Sequence, residues 1–267
     1  MKRTAAVAGQ FYQGTSVRLT QQVGQYIDND LTREEVLGIM VPHAGLMYSG
    51  IVAGAVYSSI KFPNTFIMIG PNHTGLGPAI SLMESGEWEI PTGVFEIDRK
   101  LAARIALNTP KVVRDSQAHT FEHSLEVQLP FVAYFSREVK IVPIAMLSAS
   151  FEECLELAEG IANAVRDAAY PVVIVASSDM SHYVPDKVAR QKDRFAIEKI
   201  LAIDPEGLYE TVRRQRISMC GVLPATVMLS AAKLLGAGSA RLVKYATSGD
   251  VSGDYESVVG YAGVVVR

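Results

Sequence analysis

Short, continuously apolar runs alternate along this chain with longer stretches in which apolar residues recur at helical spacing. The runs 37–41 (LGIMV), 65–69 (TFIMI), 140–147 (KIVPIAML) and 172–176 (VVIVA) are brief and rich in β-branched residues. Such runs predict strands buried on both faces, the habit of parallel sheets. Helical periodicity marks 49–60, 151–168, 187–201, 205–216 and 222–235, and Asp98 suits the N-cap of a helix over 99–107. The stretch 79–97, with Trp88 and Pro91-Thr92-Gly93, predicts a β-hairpin excursion. Two further strands, 241–247 and 258–266, suit the edge of a sheet, where they could mediate self-association. Strand–helix alternation implies βαβ units. The expected fold class is α/β, one domain over 1–267 with a central mostly parallel or mixed sheet flanked by helices.

Composition narrows the function more than the fold. Hydrophobic residues make up 49% of the 267 and charged residues 20%, enough apolar material for a large core. A net charge of −3 without a long basic run argues against nucleic-acid or acidic-lipid binding. No apolar run reaches membrane-spanning length, and the first ten residues lack the apolar segment of a signal peptide. With Cys154 and Cys220 the only cysteines, free thiols in a reducing, cytoplasmic setting are expected.

The candidate chemistry lies just beyond the strands. LGIMV is followed by Pro42-His43-Ala44-Gly45, TFIMI by Gly70-Pro71-Asn72-His73, and VVIVA by Ser177-Ser178-Asp179-Met180-Ser181-His182-Tyr183. Parallel strands end on one side of the sheet, and ligands bind in the crevice outside those ends. Three histidines and Asp179 are therefore expected to converge there. A lone histidine after a strand is more often a loop residue bonded to a carbonyl. Imidazoles and a carboxylate converging on one point suit Zn or Fe(II) with open positions for substrate.

A second cluster comprises His119, Glu122, His123 and Glu126, spaced i, i+3, i+4, i+7. On a helix they share one face, with Phe121, Leu125 and Val132 opposite, facing the core. Lining of the pocket behind the ligands is the preferred reading, ahead of a solvated stripe. The string H-x-x-E-H also matches the inverzincin zinc pattern, although Pro130 shortens such a helix. Cys220, just before the run 222–235, would sit at a helix N-terminus that favours thiolate; the alternative is a small buried hydrophobe. Cys154 reads as core. No glycine pattern matches a nucleotide-binding loop.

Six strings together resemble the Memo-like family. They are Arg3-Thr4-Ala5-Ala6-Val7-Ala8-Gly9-Gln10-Phe11-Tyr12, Val41-Pro42-His43-Ala44-Gly45, Gly70-Pro71-Asn72-His73, Glu122-His123-Ser124-Leu125-Glu126-Val127-Gln128-Leu129-Pro130-Phe131, Ser178-Asp179-Met180-Ser181-His182-Tyr183 and Met219-Cys220-Gly221. The resemblance implies a fold shared with class III extradiol dioxygenases, non-haem iron enzymes that open catechol rings. It implies His43 and His73 as metal ligands, Cys220 in place of the carboxylate ligand, and His182 as the acid/base. A thiolate there changes charge donation and softness, and departs from the ring-opening site. The resemblance also implies a non-enzymatic, peptide-binding use of the pocket, or a functional link to radical SAM proteins.

Two functions are carried forward. One is a metal-dependent redox or ring-modifying enzyme, with Fe(II) expected and Zn or Cu as alternatives. His182 and Asp179 would be catalytic, Asp179 orienting His182 by a hydrogen bond. Tyr48, Asn72, His119, His123, Glu126 and Tyr183 would line or support the pocket. The other is a binding protein that holds a small molecule or peptide through His43, His73, Tyr48 and Tyr183. A zinc hydrolase ranks below both.

Overall fold

The computed structural model describes all 267 residues. The chain opens with β1 (Lys2–Thr4) and α1 (Ser16–Gly24), then β2 (Gly38–Val41), α2 (Leu46–Ser58) and β3 (Thr65–Pro71). Short strands follow: β4 (Ile80–Leu82), β5 (Glu87–Ile90) and β6 (Gly93–Glu96), then α3 (Arg99–Asn108) and β7 (Val113–Arg114). Two single 3₁₀ turns, Gln117–His119 and Glu126–Gln128, precede α4 (Leu129–Phe135) and β8 (Lys140–Met146). Then come α5 (Phe151–Arg166), β9 (Val172–Ser177), β10 (His182–Val184), α6 (Asp186–Leu201), α7 (Pro205–Arg214) and α8 (Val222–Leu234). The chain closes with β11 (Ala240–Thr247), α9 (Gly249–Ser252) and β12 (Val258–Val266).

The main sheet runs β10-β12-β2-β9-β3-β8-β4-β7, with β11 on the other side of β12. At its centre β2, β9, β3 and β8 are mutually parallel, and each coincides with one of the four continuous apolar runs. β12 and β4 join antiparallel, so the sheet is mixed, as expected. α2 and α8 are apolar on nearly every side because they cover opposite faces of this sheet. α2, with α4 and α1 behind it, lies on one face; α8, with α3, α5, α6 and α7, lies on the other. One cluster of 68 buried residues joins both layers to the sheet. No helix is long and apolar enough to cross a membrane.

Several elements differ from expectation for identifiable reasons. Within 79–97 only Glu87–Ile90 and Gly93–Glu96 form the hairpin; Ile80–Leu82 instead pairs antiparallel with β8 in the main sheet. β1 adds to that hairpin in parallel, making a separate three-stranded sheet. Of the two C-terminal strands, β11 is the edge, while β12 is paired on both sides.

The largest correction concerns 119–126, which is not a helix. Between its two 3₁₀ turns the Glu122 carboxylate accepts the backbone N–H groups of His123 and Ser124. Side-chain acceptors that bind local backbone donors compete directly with helical bonding. Phe121 is 66% exposed rather than core, whereas Leu125 and Val132 are buried.

Candidate metal centre

Parallel strands deliver their loops to one end of the sheet, and that end holds a cavity of about 640 Å³. His43, His73, Asp179, His182, Tyr48 and Tyr183 all line it, as does His123. His43 is buried, His123 half-buried and His73 exposed, and their ligand nitrogens all lie within 4.8 Å of one another. These three imidazoles form a group able to hold a metal ion.

Glycine permits two of the approaches. A Cβ on Gly70 would meet Ser124 Oγ at 2.6 Å and Leu125 Cδ2 at 2.7 Å, so glycine lets this segment pack closely on β3, with His123 beside His73. A Cβ on Gly221 would collide with the Ser177 carbonyl, so glycine likewise lets Cys220 reach the end of β9.

Hydrogen-bond accounting assigns the tautomers. Gln128 Nε2 donates to the Pro42 carbonyl and to Ser177 Oγ, and the single Ser177 hydroxyl proton goes to the Ser124 carbonyl at 2.7 Å. Ser177 Oγ, 2.9 Å from His43 Nδ1, must therefore accept from it, which leaves the His43 Nε2 lone pair free. His73 Nδ1 faces the acceptor-only Glu122 Oε1 at 3.0 Å, so Nδ1 carries a proton and Nε2 is the nitrogen left for a ligand. His182 Nδ1 lies 2.9 Å from the carbonyls of both Met180 and Ser218, and it too must be the protonated nitrogen.

The electrostatics suit a cation. Burial first, then the neighbouring His123 and His73, hold the His43 imidazole well below its ordinary 6.5, hence neutral as a ligand must be. Burial also lowers His123, with Glu122 opposing. At His73 burial disfavours the charged form, but the Glu122 hydrogen bond and charge outweigh it and raise the pKa. Burial opposes ionisation of Glu122 in turn, yet the His73 hydrogen bond and charge pull its carboxyl down to about 2. Glu122 also takes the His73 backbone N–H at 2.5 Å, fixing both ends of that residue.

Asp179 is placed differently from expectation. Its Oδ1 accepts the His43 and Ala44 backbone N–H groups at 2.8 and 3.3 Å, so it holds the His43 loop. His182 is oriented instead by the Met180 and Ser218 carbonyls and by its own N–H on Ser218 Oγ at 2.7 Å. Burial raises the Asp179 carboxyl, with the His43 N–H pulling the other way.

Cys220 lies 3.3 Å from His43 Nε2 and accepts the Asp179 N–H at 3.2 Å. The expected depressed thiol is not found: burial, reinforced by the Asp179 charge, pushes it up. Desolvation there outweighs the start of α8. Cys154 is buried core, as expected.

Three expected pocket residues stand elsewhere. Asn72 organises its own loop, Oδ1 accepting from Thr74 and Gly75 while Nδ2 donates to the Leu76 carbonyl. His119 packs against Trp88, centroids 5.8 Å apart, and faces Ser81 Oγ rather than the cavity. Glu126 pairs with Arg3 at 2.5 Å and accepts from Tyr12 Oη and the Ala6 and Val7 N–H groups.

Phe11, 4.7 Å from His123, and the wall of Ser248, Ser252, Asp254, Ser257, Val259 and Tyr261 were not read from the sequence. The Ser/Asp-rich stretch between the two C-terminal strands was the available signal for that wall.

Comparison with known proteins places this site in a family. The Memo family, described as Memo-like protein, matches residues 3–265. A MEMO1 family protein of Pyrobaculum aerophilum is 41% identical over 275 residues, covering 98% of each chain. That of Methanosarcina barkeri is 41% identical over 267 residues, 99% of this chain and 100% of the relative. That of Methanothermobacter thermautotrophicus is 38% identical over 274 residues, 98% of this chain and 99% of the relative. The fold is shared with a solved uncharacterized protein of Escherichia coli K12, at a TM-score of 0.60 and 14% identity, over 86% of this chain and 100% of that one. On the end-to-end match of motif, length and sequence, this chain belongs to the Memo-like protein family.

Proposed function

We propose that this protein is a metal-dependent enzyme acting on a small molecule in the cavity, with iron as the metal. The observation that carries the reading is the trio His43, His73 and His123 at the floor of an open cavity, beside His182. The donor set fits such an ion: His43 is neutral with an unprotonated Nε2, and His73, whose Nδ1 is held by Glu122, has its Nε2 left for a ligand.

Cys220 lies outside that trio and outside the cavity lining, next to His43 alone, and would be a further donor behind it. Imidazole and thiolate stand about 2.0–2.1 Å and about 2.3 Å from a bound metal. The 3.3 Å between His43 Nε2 and Cys220 Sγ is a span one ion can bridge. A thiol raised by burial keeps its proton until a metal displaces it. Imidazoles suit zinc and iron alike, and the thiol behind His43 adds a soft donor to the site. When bound, the metal would supply Lewis acidity and one-electron chemistry. The chain's own part is to hold the substrate against the aromatic lining and to move a proton at His182 Nε2.

Elemental mass spectrometry on anaerobically purified protein, with Fe(II), Zn(II) and Cu titrations, tests this. Near-stoichiometric iron, absent from the His43→Ala/His73→Ala variant, is expected. Unchanged metal in that variant would defeat the metal site. Tight zinc without iron would favour a hydrolase. No tight metal would favour the second reading, a peptide- or small-ligand-binding protein using the same cavity.

A further inference from the structure

The cavity's lining carries a charge signature. Among its 16 residues there is no Lys or Arg, although the chain has 25 of them. Two are acids: Asp179 near the floor and Asp254 at the exposed rim. The rings of Phe11, Tyr48, Tyr183 and Tyr261 line the same cavity. A carboxylate or phosphate ligand is ordinarily held by an Arg or Lys fork, or by free N–H groups at a helix start.

The start of α2 reaches this cavity with most of its N–H groups already spent. The His43 and Ala44 N–H groups ahead of α2 are taken by Asp179, and the Leu46 N–H by the Phe11 carbonyl. Glu122 already pairs His73. At the rim, Asp254 spends Oδ1 on the Glu256 N–H and has no Lys or Arg partner. It is a carboxylate without a cationic partner, lining the same cavity as exposed Tyr183.

From this lining we infer that the cavity selects an aromatic ligand bearing an amine, and discriminates against the corresponding carboxylate or phosphate. The ring lies among the tyrosines with any phenolic oxygen toward the histidines. The ammonium stays at the rim, where it meets Asp254 and the faces of the tyrosine rings. The inference deepens the proposed function by naming the ligand class of that same site.

The test uses two probes with one ring and opposite charge, tyramine and 4-hydroxyphenylacetate, titrated calorimetrically into the protein with and without added Fe(II). An exposed ion pair plus a cation–π contact supports a preference of about tenfold for tyramine. Asp254→Asn, on an exposed loop, should cut that preference to about threefold or less, and added salt should do the same. Equal or tighter binding of the carboxylate, or no binding of either probe, overturns the inference. A tyramine preference in a protein that takes up no metal would sink the iron reading and leave this one standing. Iron uptake with a carboxylate preference would do the reverse.

Discussion

The segment 117–128 supplies polar side chains to two neighbouring but opposite environments. On one side Glu122 and His123 meet His73 and His43 at the open cavity. On the other, Glu126 and the backbone of His119 and Glu122 clasp Arg3. The Arg3 guanidinium also lies 4.2 Å from the Trp88 ring centroid, and Tyr12 Oη closes the knot at 2.5 Å from Glu126. The knot is sealed and its carboxylate has donors on both oxygens; the cavity side keeps lone pairs unspent. Buried polar groups that satisfy one another hold a fold together, while groups left with free lone pairs toward a cavity remain available to a ligand. One stretch of sequence therefore pins the N-terminal arm and equips the site, and the pinned arm brings Phe11 against His123.

The strongest way to break this contrast is Glu126→Ala. It strands a buried guanidinium and three donors, which should cost about 3–5 kcal/mol by urea unfolding. Metal affinity of the fraction still folded should change little. A stability loss below about 1 kcal/mol, within the range of surface pairs, would show that the knot is not structural.

Acid should probe the sealed side next. Burial first, then the Arg3 charge, lower His119 from 6.5 to about 4. The unfolded chain thus binds a proton that the folded one refuses, and stability falls as pH drops from 6.5 to about 4. At about 1.4 kcal/mol per unit that loss is on the order of 3 kcal/mol, and His119→Leu should remove it. Identical pH profiles for the two proteins would contradict the assignment. Leucine should otherwise be tolerated, since His119 Nδ1 is already without a partner.

On the cavity side, Ser177→Ala removes the acceptor that holds His43 Nδ1–H. Partners of this kind, behind a ligand, are worth about 10–100-fold in metal affinity, measurable by competition with a chelator. Affinity within twofold of the parent would reject the Nδ1-protonated tautomer of His43.

The smallest effect expected is that of Glu122→Gln. Protons compete with metal at His73 Nε2, and the Glu122 charge raises that proton affinity. Without the charge, the pH at which half the metal is lost should move down. An upward shift would mean that Glu122 serves the metal more than it serves the proton.

Strand order aside, much of the architecture was legible because it is written locally. Each of the runs 37–41, 65–69, 140–147 and 172–176 holds a strand because both faces of the sheet centre are covered, and continuous apolar runs record that directly. The Asp98 cap and the helix after it were equally plain, the side chain accepting the Leu101 N–H at 3.1 Å. Since parallel strands share an end, His43, His73, Asp179 and His182 had to gather there.

The path of 119–126 could not be read the same way. Its helical spacing is real, but beside the local bonds of Glu122 to the His123 and Ser124 N–H groups its path is held by bonds that join Glu122 to His73 and Glu126 to residues 3–12, 49 to 123 positions away. Spacing reports which residues would share a helix face; it carries no information about acceptors that a distant part of the chain will claim. His123 entered the trio, and His119 left the site, through those long-range bonds and the close approach at Gly70. Cys220 shows the same division: its place beside a helix start is local, but its raised thiol follows from burial against Asp179, 41 residues earlier.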